Sequence, residues 1–243
     1  MLELTIILLA FGTAAICFAA LMLLARGPDD TLFVAFIRAV SILHGKLFHR
    51  YRLAGCSGDP IPPAGAFIVV ANHRSGVDPV LLSVVTRRRI RFLMAREFYE
   101  IPVLNTIFRA LGCIPVNRTG NDLSATKAAL KALKEGQVIG IFPQGGIRGE
   151  DEEAEAKLGV ALLSSRTGAP IIPFYIDGSP HKDSVLLGIM TPSRTVIRPG
   201  PPMSICEKAE GKVSREELER LTASVMAAIN SLKPAAGERR AGA

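Results

Sequence analysis

Between positions 4 and 25 the chain carries no charged residue, and this run constrains its architecture before anything else does. It is built of Leu, Ile, Ala, Phe and Met, with Thr5, Gly12, Thr13 and Cys17 interspersed. As a helix its 22 residues rise about 33 Å, enough to cross a bilayer core of about 30 Å. A cleaved signal peptide is the alternative. Against it, only Glu3 and no basic residue precedes the run, which is also longer than a signal-peptide core. The pattern therefore predicts an uncleaved anchor over positions 1–26. Arg26, Arg38, Lys46, Arg50 and Arg52 follow the run and no basic residue precedes it. Positive charge stays on the cytoplasmic side. The expected location is thus a cell inner membrane or its equivalent, single-pass or monotopic, with the body of the protein in the cytoplasm.

Positions 30–50 are again apolar, with basic residues toward the end. They read as a helix lying in the membrane interface with Lys and Arg reaching toward head groups, or as a second short spanning or re-entrant helix. Apolar residues make up 49% of the chain and mean hydropathy is +0.30. The net charge of +7 calls for an anionic partner. Nucleic acid fits poorly: there is no Trp, there are three Tyr, and no basic stretch is interleaved with aromatics for base stacking. Anionic lipid fits better. The densest patch, Arg87-Arg88-Arg89-Ile90-Arg91 with Arg96 nearby, is either a lipid contact or a solvated helix end. Four scattered cysteines, without a CxxC pair or zinc-like His spacing, read as free thiols in a reducing compartment. Neither a metal site nor a cofactor is expected.

From position 61 the chain alternates strand-like and helix-like segments. Strands are predicted at 66–70, 90–95, within 112–118, and at 138–142, 170–176, 195–198 and 203–205. Helices are predicted from Val80 onward, at 103–110, at 122–135 with Leu123, Ala129, Leu130 and Leu133 on one face, from the acidic run 150–155 to Gly168, and from the capping box at Ser214 to about Leu232. Alternation of this kind gives an α/β domain with a mixed, largely parallel sheet flanked by helices. The expected organisation is an anchor at 1–26, an interface helix and linker at 27–60, one domain at 61–234 and a disordered tail at 235–243.

Three predicted strand ends carry polar clusters: Asn72-His73 with Asp78, Asn117-Arg118, and Gln144-Gly145-Gly146-Ile147-Arg148. Ligands in α/β sheets bind beyond the carboxyl ends of the strands, so the clusters should converge on one site. His73 sits on a strand-to-helix turn. An imidazole acts as a base when a carboxylate orients it, and Asp78 lies five residues on. Alone, the spacing is a weak signal and better fits a helix cap at Asp78 before Pro79 and a surface His73.

These three clusters, with the apolar strand Ile171-Ile172-Pro173 after them, resemble in order and spacing the four blocks of the glycerolipid acyltransferases of the lysophosphatidic acid acyltransferase (PlsC-like) type. Asn72, His73 and Asp78 meet the family's N-H-x4-D block. Gly112, Ile114, Val116 and Arg118 meet its second, and Ile171, Ile172 and Pro173 its fourth. The third, Phe-Pro-Glu-Gly-Thr-Arg, is met by Phe142, Pro143 and Gly145, while Gln144 replaces its Glu, Gly146 its Thr and Ile147 its Arg, with Arg148 one place later. The resemblance implies a glycerol-3-phosphate acyltransferase-like fold. It implies a membrane-bound enzyme of phospholipid biosynthesis that moves an acyl group from acyl-CoA or acyl carrier protein to a lysophospholipid, first of all 1-acyl-sn-glycerol-3-phosphate, giving phosphatidic acid. His73 and Asp78 would be catalytic. Asn72, Arg118, Gln144, Gly145, Gly146 and Arg148 would bind substrate. The departures at 144, 146 and 147 leave room for another lysolipid or hydroxylated acceptor. A non-catalytic lipid-binding relative is one rival. A hydrolase using Ser75 or Ser164 is another, although the chain lacks G-x-S-x-G.

Overall fold

The computed structural model describes residues 2–117, 122–147, 156–180, 184–205, 211 and 213–235, with no account of the side chains at 2–10 and 185. Arg118, Arg148, Cys206, the acidic run 150–155 and the expected tail from 236 on lie outside the described residues.

Among the described residues seven strands form one sheet: β1 (Arg52–Leu53), β2 (Phe67–Ala71), β3 (Ile90–Ala95), β4 (Ile114–Val116), β5 (Val138–Ile141), β6 (Ile171–Asp177) and β7 (Val196–Pro199), in the order β1-β7-β6-β2-β5-β3-β4. Every pairing is parallel except β6 with β7. All five residues of β2 are buried. A strand covered by helices on both faces must be apolar throughout, which is why β2 reads as an unbroken run rather than an alternation. Its side chains still divide by parity. Phe67, Val69 and Ala71 join a core with Leu81, Leu82, Phe92 and Phe174, while Ile68 and Val70 join a second core with Ala129, Leu133, Ile139, Val225 and Ile229. The strand expected at 203–205 shrinks to one bridge between Ile171 and Met203. Pro201 and Pro202 stand just before it and have no N–H to give a ladder.

The helices are α1 (Leu2–Ala25), α2 (Leu32–Leu47), α3 (Asp78–Val84), α4 (Arg96–Tyr99), α5 (Pro102–Leu111), α6 (Leu123–Lys134), α7 (Gly159–Thr167), α8 (Val185–Met190) and α9 (Arg215–Ser231). On α6 the buried face is Ala125, Ala129, Ala132 and Leu133, and Leu123, expected on that face, is exposed. Small residues line the face that packs on the sheet, and Leu123, the first residue of α6, does not share in it.

A continuous helix does cover the uncharged N-terminal run. Among the described residues, however, no helix is long and apolar enough to cross a membrane. Of the basic residues near α2, Lys46 and Arg50 are exposed, but Arg38 does not reach outward as expected. Arg38 is buried, paired with Asp30 at 3.0 Å, and donates to the carbonyls of Ser83 (2.8 Å) and Thr86 (2.7 Å). Lys46 lies over the Tyr51 ring. Apart from Lys46, what α2 exposes is apolar: Leu32, Phe33, Phe36, Val40, Leu43 and Leu47. Both readings of the arginine patch also give way at its centre. Arg88 is buried and ties together the carbonyls of Pro62 (2.9 Å), Gly65 (3.0 Å) and Gly136 (2.8 Å). Arg89 pairs with Asp30 at 3.1 Å. Five donors in a rigid fork suit this gathering of loop carbonyls.

Candidate active site

The site begins where the β2 ladder stops. β2 pairs with β6 up to Ala71 and Phe174. Asn72 then continues the ladder with its side chain: Oδ1 accepts from Ile176 N at 2.7 Å and Nδ2 donates to Ile176 O at 2.8 Å. Asn72 is buried. It was expected to touch substrate, and here its amide fastens the turn to β6.

His73 follows and is held on three sides. Its Nδ1 lies 3.1 Å from Asp78 Oδ2. Its ring stacks on Phe142 with centroids 4.0 Å apart and planes 17° apart, and Phe142 in turn stacks on Phe92 at 5.7 Å. Its backbone N–H donates to Gln144 Oε1 at 2.9 Å. Gly140 makes the stack possible: a Cβ there would fall 2.5 Å from Phe92 ring carbons. A carboxylate accepts only, so Nδ1 carries the proton toward Asp78, and Nε2 keeps the lone pair a base needs.

Asp78 is completely buried, and its Oδ2 also accepts from the backbone N–H groups of Arg74 (2.7 Å) and Ser75 (2.8 Å). The cap expected at Asp78 is therefore corrected. Val77 occupies the cap position of α3 without a side-chain bond, Asp78 is the first helical residue, and its carboxylate folds back into the turn. A buried anion needs donors, and the turn offers three at once. Its Oδ1 makes no hydrogen bond among the described residues.

Behind this pair lies His49, which the sequence did not single out. It is fully buried, with Nδ1 2.9 Å from Ser193 Oγ. Burial, then His44, push its pKa down, against the pull of the Ile189 carbonyl and the Asp78 carboxylate. Only the fold brings it near Asp78; no sequence spacing signals it.

The glycine loop after β5 is less open than expected. Gly145 has φ of +70°, and a Cβ there would sit 2.5 Å from Lys157 Cε, whereas Gly146 has open space. Lys157, also missed by the sequence reading, lies over this loop, with its backbone N–H donating to Pro143 O at 2.9 Å. The hydrolase candidates are spoken for. Ser75 is buried with Gly188 packed against its hydroxyl, and buried Ser164 donates to Ala169 O at 3.0 Å. Among the described residues no cluster of His, Cys, Asp and Glu could hold a metal ion.

A mostly parallel α/β sheet thus ends in an imidazole aimed by a buried carboxylate, and neither candidate serine stands free beside it. The chain belongs to the Acyltransferase family, whose profile matches residues 55–177. Among its relatives is the 1-acyl-sn-glycerol-3-phosphate acyltransferase of Bacillus subtilis, 27% identical over 119 residues, which are 49% of this chain and 59% of that protein. The protein of the same name from Borreliella burgdorferi is 29% identical over 115 residues, 46% of each chain. That of Streptococcus pneumoniae is 26% identical over 186 residues, 73% of this chain and 65% of that one. The chain thus spans about half the length of the first two relatives. In fold it is similar to the crystal structure of the 1-acyl-sn-glycerophosphate (LPA) acyltransferase PlsC from Thermotoga maritima: TM-score 0.62, 23% identity, covering 85% of this chain and 80% of that one.

Proposed function

We propose that this chain is an O-acyltransferase that moves a fatty acyl group from acyl-CoA or acyl carrier protein to the free hydroxyl of a lysophospholipid, with 1-acyl-sn-glycerol-3-phosphate as the first acceptor and phosphatidic acid as the product. One observation carries the reading: His73 is bonded to a fully buried Asp78 and locked face-on by Phe142. An alcohol is a poor nucleophile near neutral pH. Nε2 of His73 removes its proton as the oxygen attacks the thioester carbonyl. The new C–O bond forms, the thiol leaves, and the proton on His73 passes to it. Asp78 holds the ring and stabilises the imidazolium between the two transfers. General-base help of this kind is worth about 10²–10⁴-fold. Transfer is direct, since Ser75 is walled in by Gly188 and the α3 turn.

The acceptor phosphate is the charge to be held. Arg118 and Arg148 follow β4 and β5, and the N–H groups of Gly145 and Gly146 can approach a phosphate or the developing oxyanion. The relatives' names support the acceptor. The family block altered at Gln144, Gly146 and Ile147 favours a second reading, another lysolipid or a hydroxylated lipid at the same site. The uncharged run under α1 and the apolar face of α2 support attachment to a membrane, with the catalytic domain on its cytoplasmic side.

The test is acyl transfer from radiolabelled acyl-CoA to lysophosphatidic acid in membrane fractions. His73→Ala should lower the rate by at least 10²-fold. Undiminished transfer in that variant would remove His73 as the base, and a panel of lysolipids separates the two acceptor readings.

A further inference from the structure

β5 lies beside β2 in parallel register, with Val70 opposite Ile141 as the last pair. Beyond that pair no main-chain ladder joins the two strand ends. His73 stands three residues past Val70, and Gln144 three residues past Ile141. The gap is closed by a side chain, with Gln144 Oε1 accepting the His73 backbone N–H at 2.9 Å. Asn72 does the equivalent on the other flank, toward β6. The turn that carries the base is thus tied on both sides by neutral amides. β5 supplies a second hold through Phe142, which fixes the plane of the ring.

We propose that Gln144 is a positioning residue for the base: it holds the His73 main chain so that the ring stays aimed, and it does so without adding charge to the site. This rests on the proposed function. It differs from the substrate-binding role that the family block implies for this position, because the side-chain oxygen is turned to the protein's own backbone. A carboxylate of the same length would accept the same bond. It would also set a second negative charge beside His73, favour the imidazolium, and keep the base protonated to higher pH.

Among the described residues, the ionisable groups around His73 are Asp78 from α3, Arg74 in the turn with Asp177 at the end of β6 (3.9 Å apart), Lys157 over the glycine loop, and His49 behind Asp78. β3 brings Phe92, and α8 has no ionisable residue. All of these, and Arg118 and Arg148, are common to the wild type and to variants at 144, so a difference between them reads position 144 alone.

The experiment compares the full chain with Gln144→Leu and Gln144→Glu in detergent. It follows acyl-transfer kinetics in acceptor across pH, and the titration of the His73 ring by NMR with ¹³C-labelled histidine, assigned through His73→Ala. Gln144→Leu should lower kcat about 10-fold or more with the acceptor KM within about twofold, the pattern of lost transition-state positioning. Gln144→Glu should keep kcat at alkaline pH, while the acid limb of the rate and the His73 midpoint both move up by about 0.5–1 pH unit. A raised acceptor KM with kcat kept in Gln144→Leu, or an unmoved His73 midpoint in Gln144→Glu, would overturn the proposal. A wild type without transfer activity would sink the proposed function instead, and the NMR arm would then decide the role of Gln144 by itself.

Discussion

Asp78 shows how much one side chain does here. Its Oδ2 takes the His73 ring and two backbone N–H groups while the residue is wholly buried. Asp78→Asn keeps the volume but replaces an acceptor-only group, and it cannot stabilise an imidazolium. It should lower acyl transfer by about 10²–10⁴-fold, and the transfer assay measures it directly. His49 predicts a pH effect on folding. Its pKa is depressed in the folded chain, chiefly by burial. The unfolded chain therefore binds the proton first on acidification, and stability falls as pH drops through the ordinary histidine range. Thermal melts between pH 7.5 and 5.5 should show a declining midpoint, and His49→Asn should flatten that decline. Cys113 gives a third reading: burial pushes its thiol up to about 11. A thiolate so scarce near pH 8 should leave Cys113 unmodified by iodoacetamide while Cys56, on a partly exposed loop, reacts, as peptide mass spectrometry would show.

At the scale of elements, β5 matters more to the site than its four residues suggest. Gly140 leaves room for Phe92, which supports Phe142, which supports His73. Gly140→Val forces side-chain volume into that stack, and overpacking of this kind costs about 1–3 kcal/mol. The variant should melt several degrees lower and lose activity together with stability. An unchanged melting temperature with full activity would show that the stack is dispensable. The turn and α8 meet as closely, since any Cβ at Gly188 would fall 2.8 Å from Ser75 Oγ. These approaches explain why glycine stands at two places where no turn needs it.

For the molecule as a whole, the outer surface of α2 is the unusual feature. Phe33 and Phe36 are 46% and 47% exposed, while Val34, Ala35 and Ala39 of the same helix pack inward. If that face lies against lipid, replacing both aromatics by Gln in the full chain should weaken co-sedimentation with anionic vesicles about tenfold or more. Unchanged co-sedimentation would leave the membrane reading to α1 alone. Arg38, Arg88 and Arg89 should not contribute, because each is committed to carbonyls or to Asp30 inside the protein.

The central strands β2, β5 and β6 were legible as short apolar runs ending in polar clusters, and the His73–Asp78 pair as a spacing on a strand-to-helix turn. Periodicity and turn chemistry are local, and a local pattern is enough to place them. The order of the strands is not local. β2 lies between β5 and β6, which follow it by roughly 70 and 100 residues, and that order alone turns Gln144 toward His73, slides Phe142 under its ring and clamps Asn72 to Ile176. The same holds for the arginines, whose carbonyl partners come from distant loops. The residues proposed to carry the chemistry were readable in the chain. How each is held follows from neighbours that meet only when the sheet closes, because hydrogen bonds and ring stacking act over a few ångströms and sequence separation says nothing about such distances.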